Sequence, residues 1–225
     1  MPRDESHHAL KVMRVAPPDV VTVTDGRGTV ARCAAARVEE DVLVVEVLDA
    51  ETYRRPRPEL VIYQGAAKGA KADEVVEKLA ELGIAEVRVY ESKRSVARWG
   101  EAKVTRLNER WAAITRSAAK QSRNPFATVA VAGLSWAQVV REVAREPLAV
   151  VLWEEAILPL RTALLDGAER IAFVVGPEGG LETEEAEALA GAGAQLVSLG
   201  PHILRTENAG LVTAAAVLYR YGLIG

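Results

Sequence analysis

The stretch FVVGPEGGLETEEAEALA, residues 173–190, joins an apolar run to a carboxylate-rich helix start through a turn with three glycines and a proline. This order is typical of a strand and the binding loop that follows it in an α/β sheet. The turn matches neither G-x-x-x-x-G-K-[ST] nor G-x-G-x-x-G, and its glutamates would repel a di- or triphosphate. It therefore predicts a ligand without phosphate, while a purely structural turn, in which glycines only supply unusual backbone angles, remains the alternative.

The same alternation of strand and helix patterns runs through the chain beyond a linker, RRPRPE, at residues 54–59. Six apolar runs read as strands: LVIYQ, EVRVY, TVAVA, LAVVLW, IAFVV and QLVSL. Helical patterns separate them, one with Asp73 as N-cap and Gly83 as stop, one from Val104 to Ala118, others around Val139, Leu164 and Leu189, and a last one after Thr206. The pattern predicts an α/β fold with a mostly parallel sheet covered by helices on both faces.

The segment before the linker has a different texture. VVTVT, the turn DGRG and TVARCAAARV predict a hairpin, and DVLVVEVL predicts a further strand. We therefore expect two domains, a β-rich one at residues 1–55 and an α/β one at residues 59–225.

A second loop resembles the first in position and composition. SLGPHILRTENAG, residues 198–210, follows an apolar strand and opens the last helix, with Thr206 as a candidate cap. Two such loops at the ends of successive strands can face one pocket, in which backbone groups make the polar contacts and leucines form the walls. Arg205 is a candidate pocket residue on this basis and a helix-terminal surface arginine otherwise.

Composition narrows the class of protein. The chain has 225 residues, a hydrophobic fraction of 49% and a single cysteine, Cys33, so it can form neither an internal disulfide nor a cysteine metal cluster. No apolar run approaches the roughly 20 residues of a membrane helix, and the first residues lack a signal-peptide core. We expect a cytoplasmic protein that binds no metal and no membrane.

Basic residues are concentrated in one part of the chain. The net charge is −3, yet residues 91–126 hold nine basic and three acidic side chains. Such a run predicts a surface for a polyanion or, in the simpler interpretation, a solvated helix face.

Several motifs together resemble the ribosomal RNA small-subunit methyltransferase E family, of the SPOUT class. They are GPEGG at 176–180, LGPHILRTENA at 199–209, KADEVVEKLAELG at 71–83, AAKQSRNP at 118–125 and HHALKVMR at 7–14. The resemblance spans nearly the whole chain in the family's order. It implies methylation of uridine N3 in small-subunit (16S) ribosomal RNA with S-adenosylmethionine. It also implies a carboxyl-terminal trefoil knot, a PUA-like β-barrel at the amino terminus, and a homodimer that acts on ribosomal RNA or the assembled small subunit.

The resemblance also implies roles for individual residues. Arg123, Arg205 and Lys68 are the candidate catalytic donors. The candidate cofactor-binding residues are Leu152, Trp153, Glu154, Val175, Gly176, Pro177, Glu178, Gly179, Gly180, Leu199, Gly200, Pro201, Ile203, Leu204, Arg205, Thr206, Asn208 and Ala209. The candidate RNA-binding residues are Arg14, Lys93, Arg94, Arg98, Arg106, Arg110, Arg116, Lys120 and Arg123. A side chain at Gly180 is expected to obstruct the cofactor.

The chain departs from the family pattern at three places. His202 replaces an arginine and Asn208 a threonine in the second loop. The family's usual first strand, before Asp4, is missing, which indicates either a misplaced start or a trimmed barrel. No residue stands out as a general base; Glu178 and Glu207 are candidates that also suit helix capping. A non-catalytic RNA-binding module and a SPOUT enzyme acting on another RNA position remain alternatives. A nucleotide-dependent oxidoreductase is disfavoured because both phosphate fingerprints are absent.

Overall fold

The computed structural model describes residues 1–95 and 98–225, and the chain divides into two compact units, Met1–Arg55 and Pro56–Gly225. The division falls inside the proline-rich segment interpreted as a linker.

The first unit is a three-stranded antiparallel sheet in the order β1-β2-β3, preceded by helix α1 (Arg3–His7) and one π-helical turn (His8–Val12). The strands are β1 (Val20–Thr24), β2 (Thr29–Glu39) and β3 (Val42–Thr52). The predicted hairpin is confirmed, and the carboxylate of Asp25 closes its loop by accepting the N–H groups of Arg27 and Thr29. Within the described residues the sheet is open rather than a closed barrel, because β1 and β3 are opposite edges and three strands are too few to close.

The second unit contains a six-stranded sheet in the order β6-β5-β4-β8-β7-β9, and every strand pair in it is parallel. The strands are β4 (Glu59–Gly65), β5 (Glu86–Glu91), β6 (Val129–Ser135), β7 (Ala149–Leu152), β8 (Arg170–Val175) and β9 (Gln195–Val197). The helices are α2 (Lys71–Glu81), α3 (Glu101–Ser122), α4 (Trp136–Val143), α5 (Leu160–Ala163), α6 (Thr183–Gly191) and α7 (Thr206–Arg220). All six predicted strands are confirmed.

Helices cover both faces of this sheet, as the continuous apolar strands predict. Leu60 and Ile62 of β4 pack with apolar residues of α2, α3 and α7, whereas Val61 and Tyr63 pack with those of α4 and α6. Because successive side chains of a strand point to opposite faces, one strand serves both cores. Strand β4, between β5 and β8, therefore lies inside the sheet with a core on each face.

The start predicted for helix α2 is wrong, and one expected helix is short. Helix α2 starts at Lys71 with Ala70 as its cap, because the carboxylate of Asp73 is bound elsewhere, by the indole N–H of Trp111 at 2.8 Å and by Arg110 at 2.8 Å. The helix expected around Leu164 is the four-residue α5, which ends before that residue. The contacts of Asp73 with Trp111 and Arg110 decide where α2 starts, and local periodicity cannot show such contacts.

A network of ion pairs lies where the strands of the second unit begin, which we call the amino edge of the sheet. Arg170, the first residue of β8, pairs with Glu146 at 2.8 Å and Glu86 at 2.9 Å. Glu86 also pairs with Arg88 at 2.6 Å. Burial alone would raise the pKa of the Glu86 carboxyl, but hydrogen bonds and charge from Arg88 and Arg170 outweigh it and lower that pKa.

This network predicts an acid-sensitive contribution to stability. A carboxyl whose pKa is lower in the folded state stabilises the fold above its ordinary pKa, 4.5 for Glu86, and loses that contribution as the pH falls through the lowered value. Arg170→Met should therefore lower the free energy of unfolding at pH 7, and the gap to the wild type should shrink below pH 4.5. Denaturant unfolding at several pH values measures this.

The matched control is Arg220→Met, which removes the exposed ion pair with Asp166. Such pairs contribute about 0–1 kcal/mol, so this variant should track the wild type throughout. A gap for Arg170→Met that stays constant from pH 7 to pH 3 would contradict the prediction.

Candidate active site

The six parallel strands of the second unit all end at the edge opposite the amino edge, which we call the carboxyl edge. From β4 the chain proceeds to β5 and β6 on one side, while β7, β8 and β9 fill the other side. The order in which strands are added to the sheet thus reverses between β4 and β8. Ligands of open α/β sheets bind outside the carboxyl ends of the strands at such a switch point. The glycine turn (residues 176–180) leaves β8 there, and the second loop (residues 198–205) follows β9.

The glycine turn is packed tightly against the protein itself. The N–H of Gly180 donates to the carbonyl of Pro177 at 2.9 Å, and Gly180 has φ of +72°. A Cβ atom on Gly180 would lie 2.8 Å from Oε1 of Glu154. The tip of Glu154, an exposed side chain two residues after β7, can move away from such a Cβ, whereas the positive φ strains any side chain here; the expectation that one obstructs the cofactor stays a prediction.

The end of β4 presses on the other side of the turn. A Cβ on Gly65 would lie 2.3 Å from the backbone nitrogen of Pro177. Beyond Gly65, the backbone N–H of Lys68 donates to Oε1 of Glu178 at 3.0 Å. The turn is therefore held between the ends of β4 and β7.

The second loop crosses the carboxyl edge and ends at the glycine turn. Its first residue, Ser198, is paired through its backbone with Leu158 and Leu160 in the segment after β7. Gly200 has φ of +118°, with no atom within 4 Å of a Cβ placed there. At the far end the hydroxyl of Thr206 donates to the carbonyl of Gly176 at 2.6 Å. Arg205, not Thr206, is the N-cap of α7, because the Thr206 side chain is engaged in this contact.

The predicted cofactor-binding residues thus gather at one edge, but they differ in exposure. The exposed ones are Glu154, Glu178, Gly179, Gly200, Pro201, Ile203, Arg205 and Asn208. Trp153, Gly176, Gly180, Leu199 and Leu204 are half-buried. The buried ones are Leu152, Val175, Pro177, Thr206 and Ala209, which can act on a ligand only through their backbone or their neighbours. His202 is also exposed, so both departures in the second loop leave the interior unchanged.

The structure brings two of the three candidate catalytic residues to this edge. Lys68 lies beyond β4 and Arg205 lies before α7, both exposed. Arg123 does not join them, because it caps the carboxyl end of α3, a helix of 22 residues that spans roughly 33 Å. A Cβ placed on Gly83, just before β5 begins, would lie 2.8 Å from the side-chain nitrogen of Asn124, the residue after Arg123, so Arg123 lies at the amino edge of its own chain.

The two candidate general bases are both engaged. Glu178 accepts the N–H of Lys68. Glu207 pairs with Lys71 at 3.1 Å, and its own backbone N–H together with Lys71 outweighs partial burial and lowers the pKa of its carboxyl. A lowered pKa makes Glu207 a weaker proton acceptor at neutral pH.

The basic cluster separates into paired and unpaired side chains. Lys93 pairs with Glu182 at 2.9 Å, Arg94 donates to the carbonyl of Gly179, and Arg98 pairs with Glu91. Arg110 pairs with Asp73, and Lys103 lies 5.7 Å above the ring of Trp99. In the described ranges no acidic partner is recorded for Arg106, Arg116 or Arg123, which are all exposed. Arg14, in the first unit, is exposed with φ of +58°.

Four residues at this edge were not predicted. Gln64 and Gly65 end β4, and Ser92 and Glu185 are buried between the β5 loop and α6. Glu185, which is 2% exposed, accepts the N–H groups of Lys93 and Glu182. The one available signal was a glutamine followed by a glycine at the end of the apolar run LVIY, since a polar residue in a buried strand needs a partner.

Outside residues 96 and 97, no group of three His, Cys, Asp or Glu side chains has the arrangement of a metal site. In the same part of the chain, no helix has both the length and the apolar character needed to cross a membrane.

Comparison with known proteins assigns both units. Residues 54–218 match the model of the RNA methyltransferase domain, and residues 2–47 match that of the RNA methyltransferase PUA domain. Ribosomal RNA small subunit methyltransferase E of Mycobacterium tuberculosis is 34% identical over 95% of this chain and 83% of its own length. The protein of that name from Bacillus subtilis is 30% identical over 98% and 90%.

Solved structures agree with these matches. The Neisseria gonorrhoeae ribosomal RNA small subunit methyltransferase E, bound to S-adenosyl methionine, superposes with a TM-score of 0.85 at 26% identity, over 98% of this chain and 90% of the other. A Legionella pneumophila protein in complex with the same cofactor has a TM-score of 0.88 at 25% identity, with the same coverage. These matches cover both units, including the six-stranded sheet and the glycine turn at its switch point. The chain is therefore a member of the ribosomal RNA small subunit methyltransferase E family.

Proposed function

We propose that this protein transfers the methyl group of S-adenosylmethionine to N3 of a uridine in small-subunit ribosomal RNA. The observation that carries the proposal is the convergence of the glycine turn, the second loop and the segment after β7 at the β4–β8 switch point. Family membership and the cofactor named for the Neisseria relative support it. A ribosomal RNA substrate would place the protein in the cytoplasm.

The residues at the carboxyl edge fit this cofactor. S-adenosylmethionine has an adenosine, an amino acid and a positively charged sulfonium, but no phosphate. The exposed carboxylates of Glu154 and Glu178 suit a cation, and Gly200 leaves open space beside the backbone. The apolar side chains of Leu199 and Leu204, half-buried on the same loop, suit an adenine ring.

The cofactor supplies an electrophilic methyl group, so the protein must hold the uridine in line and accept the N3 proton. Loss of that proton places negative charge on the two flanking carbonyl oxygens of uracil. The exposed cations Lys68 and Arg205 stand at the edge where that charge would form, and stabilise it electrostatically. Arg123 can take this role only at the site of another chain, since it lies at the amino edge of its own.

We infer that the active form is a homodimer. Large apolar side chains are exposed beside the proposed site: Ile157 is 97% exposed and Ile203 is 87% exposed, and Val212 of α7 is also exposed. A second copy would cover these side chains and would bring in the Arg123 of another chain. Light scattering after size-exclusion chromatography should give twice the 24.2 kDa of one chain.

The chain is also proposed to form the trefoil knot of the SPOUT class, an exception to the rule that folds are unknotted. The backbone pairing of Ser198 with Leu158 and the contact of Thr206 with Gly176 support it. These two hydrogen bonds fix the second loop across the segments that follow β7 and β8.

The product assay tests the reaction. Small-subunit RNA treated with protein and S-adenosylmethionine should yield 3-methyluridine in nucleoside mass spectrometry. The modified base should also stop reverse transcription one nucleotide early, because methylation blocks its pairing edge. A 2′-O-methyl nucleoside or 1-methylguanosine would overturn the N3 assignment and leave the fold unaffected.

Calorimetry separates the alternatives. S-adenosylmethionine should bind while ATP and NADH should not, because no lysine-bearing phosphate loop is present in the proposed site. RNA binding with no cofactor binding would support the non-catalytic module instead.

A further inference from the structure

Three polar groups form a buried hydrogen-bond network beneath the proposed cofactor site. Nε2 of Gln64 donates to the hydroxyl of Thr206 at 2.7 Å, and that hydroxyl donates to the carbonyl of Gly176 at 2.6 Å. Gln64 is 2% exposed and Thr206 is 6% exposed. This network joins the end of β4, the start of α7 and the first residue of the glycine turn.

The residues around Gln64 pack closely against this hydrogen-bond network. Gln64 follows four buried apolar residues of β4, and a Cβ on Gly210 of α7 would lie 3.1 Å from its Oε1. That oxygen has no hydrogen-bond partner among the described residues. A buried amide that is only partly satisfied costs stability, so hydrophobic packing does not explain its presence.

We propose that Gln64 and Thr206 are positioning residues, which set the glycine turn against the second loop so that both walls of the cofactor pocket are in register. The proposal rests on the proposed function of that site. The Thr206 hydroxyl accepts one hydrogen bond and donates the other, so Gln64 orients it toward Gly176. Because Thr206 directly follows residues 198–205 of the second loop and Gly176 begins the turn, this contact joins the two walls.

Thr206→Val tests the link, because valine keeps the β-branched shape and removes only the hydroxyl. We expect amide hydrogen exchange of residues 176–181 to become about tenfold faster, which corresponds to one lost hydrogen bond. The Kd and KM for S-adenosylmethionine should rise about tenfold, while kcat at saturation stays within about twofold, as for an interaction that serves binding alone. Thr206→Ser, which keeps the hydroxyl, should restore the exchange rate and both constants.

The matched control is Thr213→Val on the same helix. Thr213 is fully buried, and its hydroxyl has no partner in the described part of the chain, so this variant makes the same chemical change without breaking a link. It should leave exchange in residues 176–181 and cofactor affinity as in the wild type. Equal behaviour of the two valine variants, in exchange and in affinity, would overturn the proposal.

Gln64→Met tests the other end of the network. It should raise the Kd in the same direction but by less, since Thr206 can still donate to Gly176. When Gln64→Met is combined with Thr206→Val, the loss of binding free energy should be smaller than the sum of the two single losses, as expected for members of one network. Strict additivity would remove Gln64 from the proposal. Hydrogen exchange needs no cofactor, so a wild type that fails to bind S-adenosylmethionine would refute the proposed function while the exchange data still decide this inference.

Discussion

Gly65→Ala is expected to weaken binding of S-adenosylmethionine about 100-fold. The added Cβ would lie 2.3 Å from the backbone nitrogen of Pro177 and 2.7 Å from the carbonyl carbon of Gly176, distances at which backbone must move. Strand β4 cannot yield, because it is hydrogen-bonded to β5 on one side and β8 on the other. The glycine turn must therefore shift, and a displaced wall that loses about two hydrogen bonds to the cofactor lowers its affinity about 100-fold.

Calorimetry with S-adenosylmethionine and thermal unfolding measure the two consequences. Overpacking costs about 1–3 kcal/mol, so the variant should fold with a lowered Tm and bind S-adenosylmethionine about 100-fold more weakly than the wild type. Gly191→Ala is the control: it ends α6, it has no atom within 4 Å of the added Cβ, and alanine favours the helix. It should bind as the wild type does. Wild-type affinity in Gly65→Ala would show that the turn at Gly176 and Pro177 is not a wall of the site.

Reversal of charge at two arginines of α3, Arg106→Glu with Arg116→Glu, is expected to weaken RNA binding roughly 30-fold at 0.15 M salt. Each lost phosphate contact lowers the slope of log K against log salt by about 0.7–0.9, because fewer counterions are released. Both side chains are exposed, and neither has a recorded acidic partner in the described ranges. Arg110 is unsuitable for this test, since a glutamate there would face Asp73.

The control is Lys78→Glu with Arg141→Glu, which changes the net charge equally at exposed helix positions outside the cluster. Fluorescence anisotropy with a small-subunit RNA fragment at several salt concentrations compares the pairs, and calorimetry should show unchanged cofactor affinity in both. If the two double variants lose RNA affinity equally, net charge alone governs binding and the basic cluster is a solvated face.

Local pattern was sufficient for much of this protein. The period-two and period-3.6 runs predicted all six strands of the second unit, and the quoted turn and second loop were correctly expected at strand ends. Resemblance of the motifs at 176–180 and 199–209 indicated the family. These features depend on residues close in sequence, where backbone sterics and apolar spacing decide the outcome.

Tertiary structure decided which groups meet. The predicted cap Asp73 is bound to Trp111, and the predicted cap Thr206 is bound to Gly176. Lys93 is paired with Glu182 rather than free, and Arg123 stands at the edge opposite the loops. The contact of Thr206 with Gly176 depends on the strand order, which places β8 beside β4 although more than 100 residues separate them in sequence. Periodicity records only which face of an element is apolar, so it determines the strands and helices, whereas the contacts between distant segments arise only when the sheet assembles.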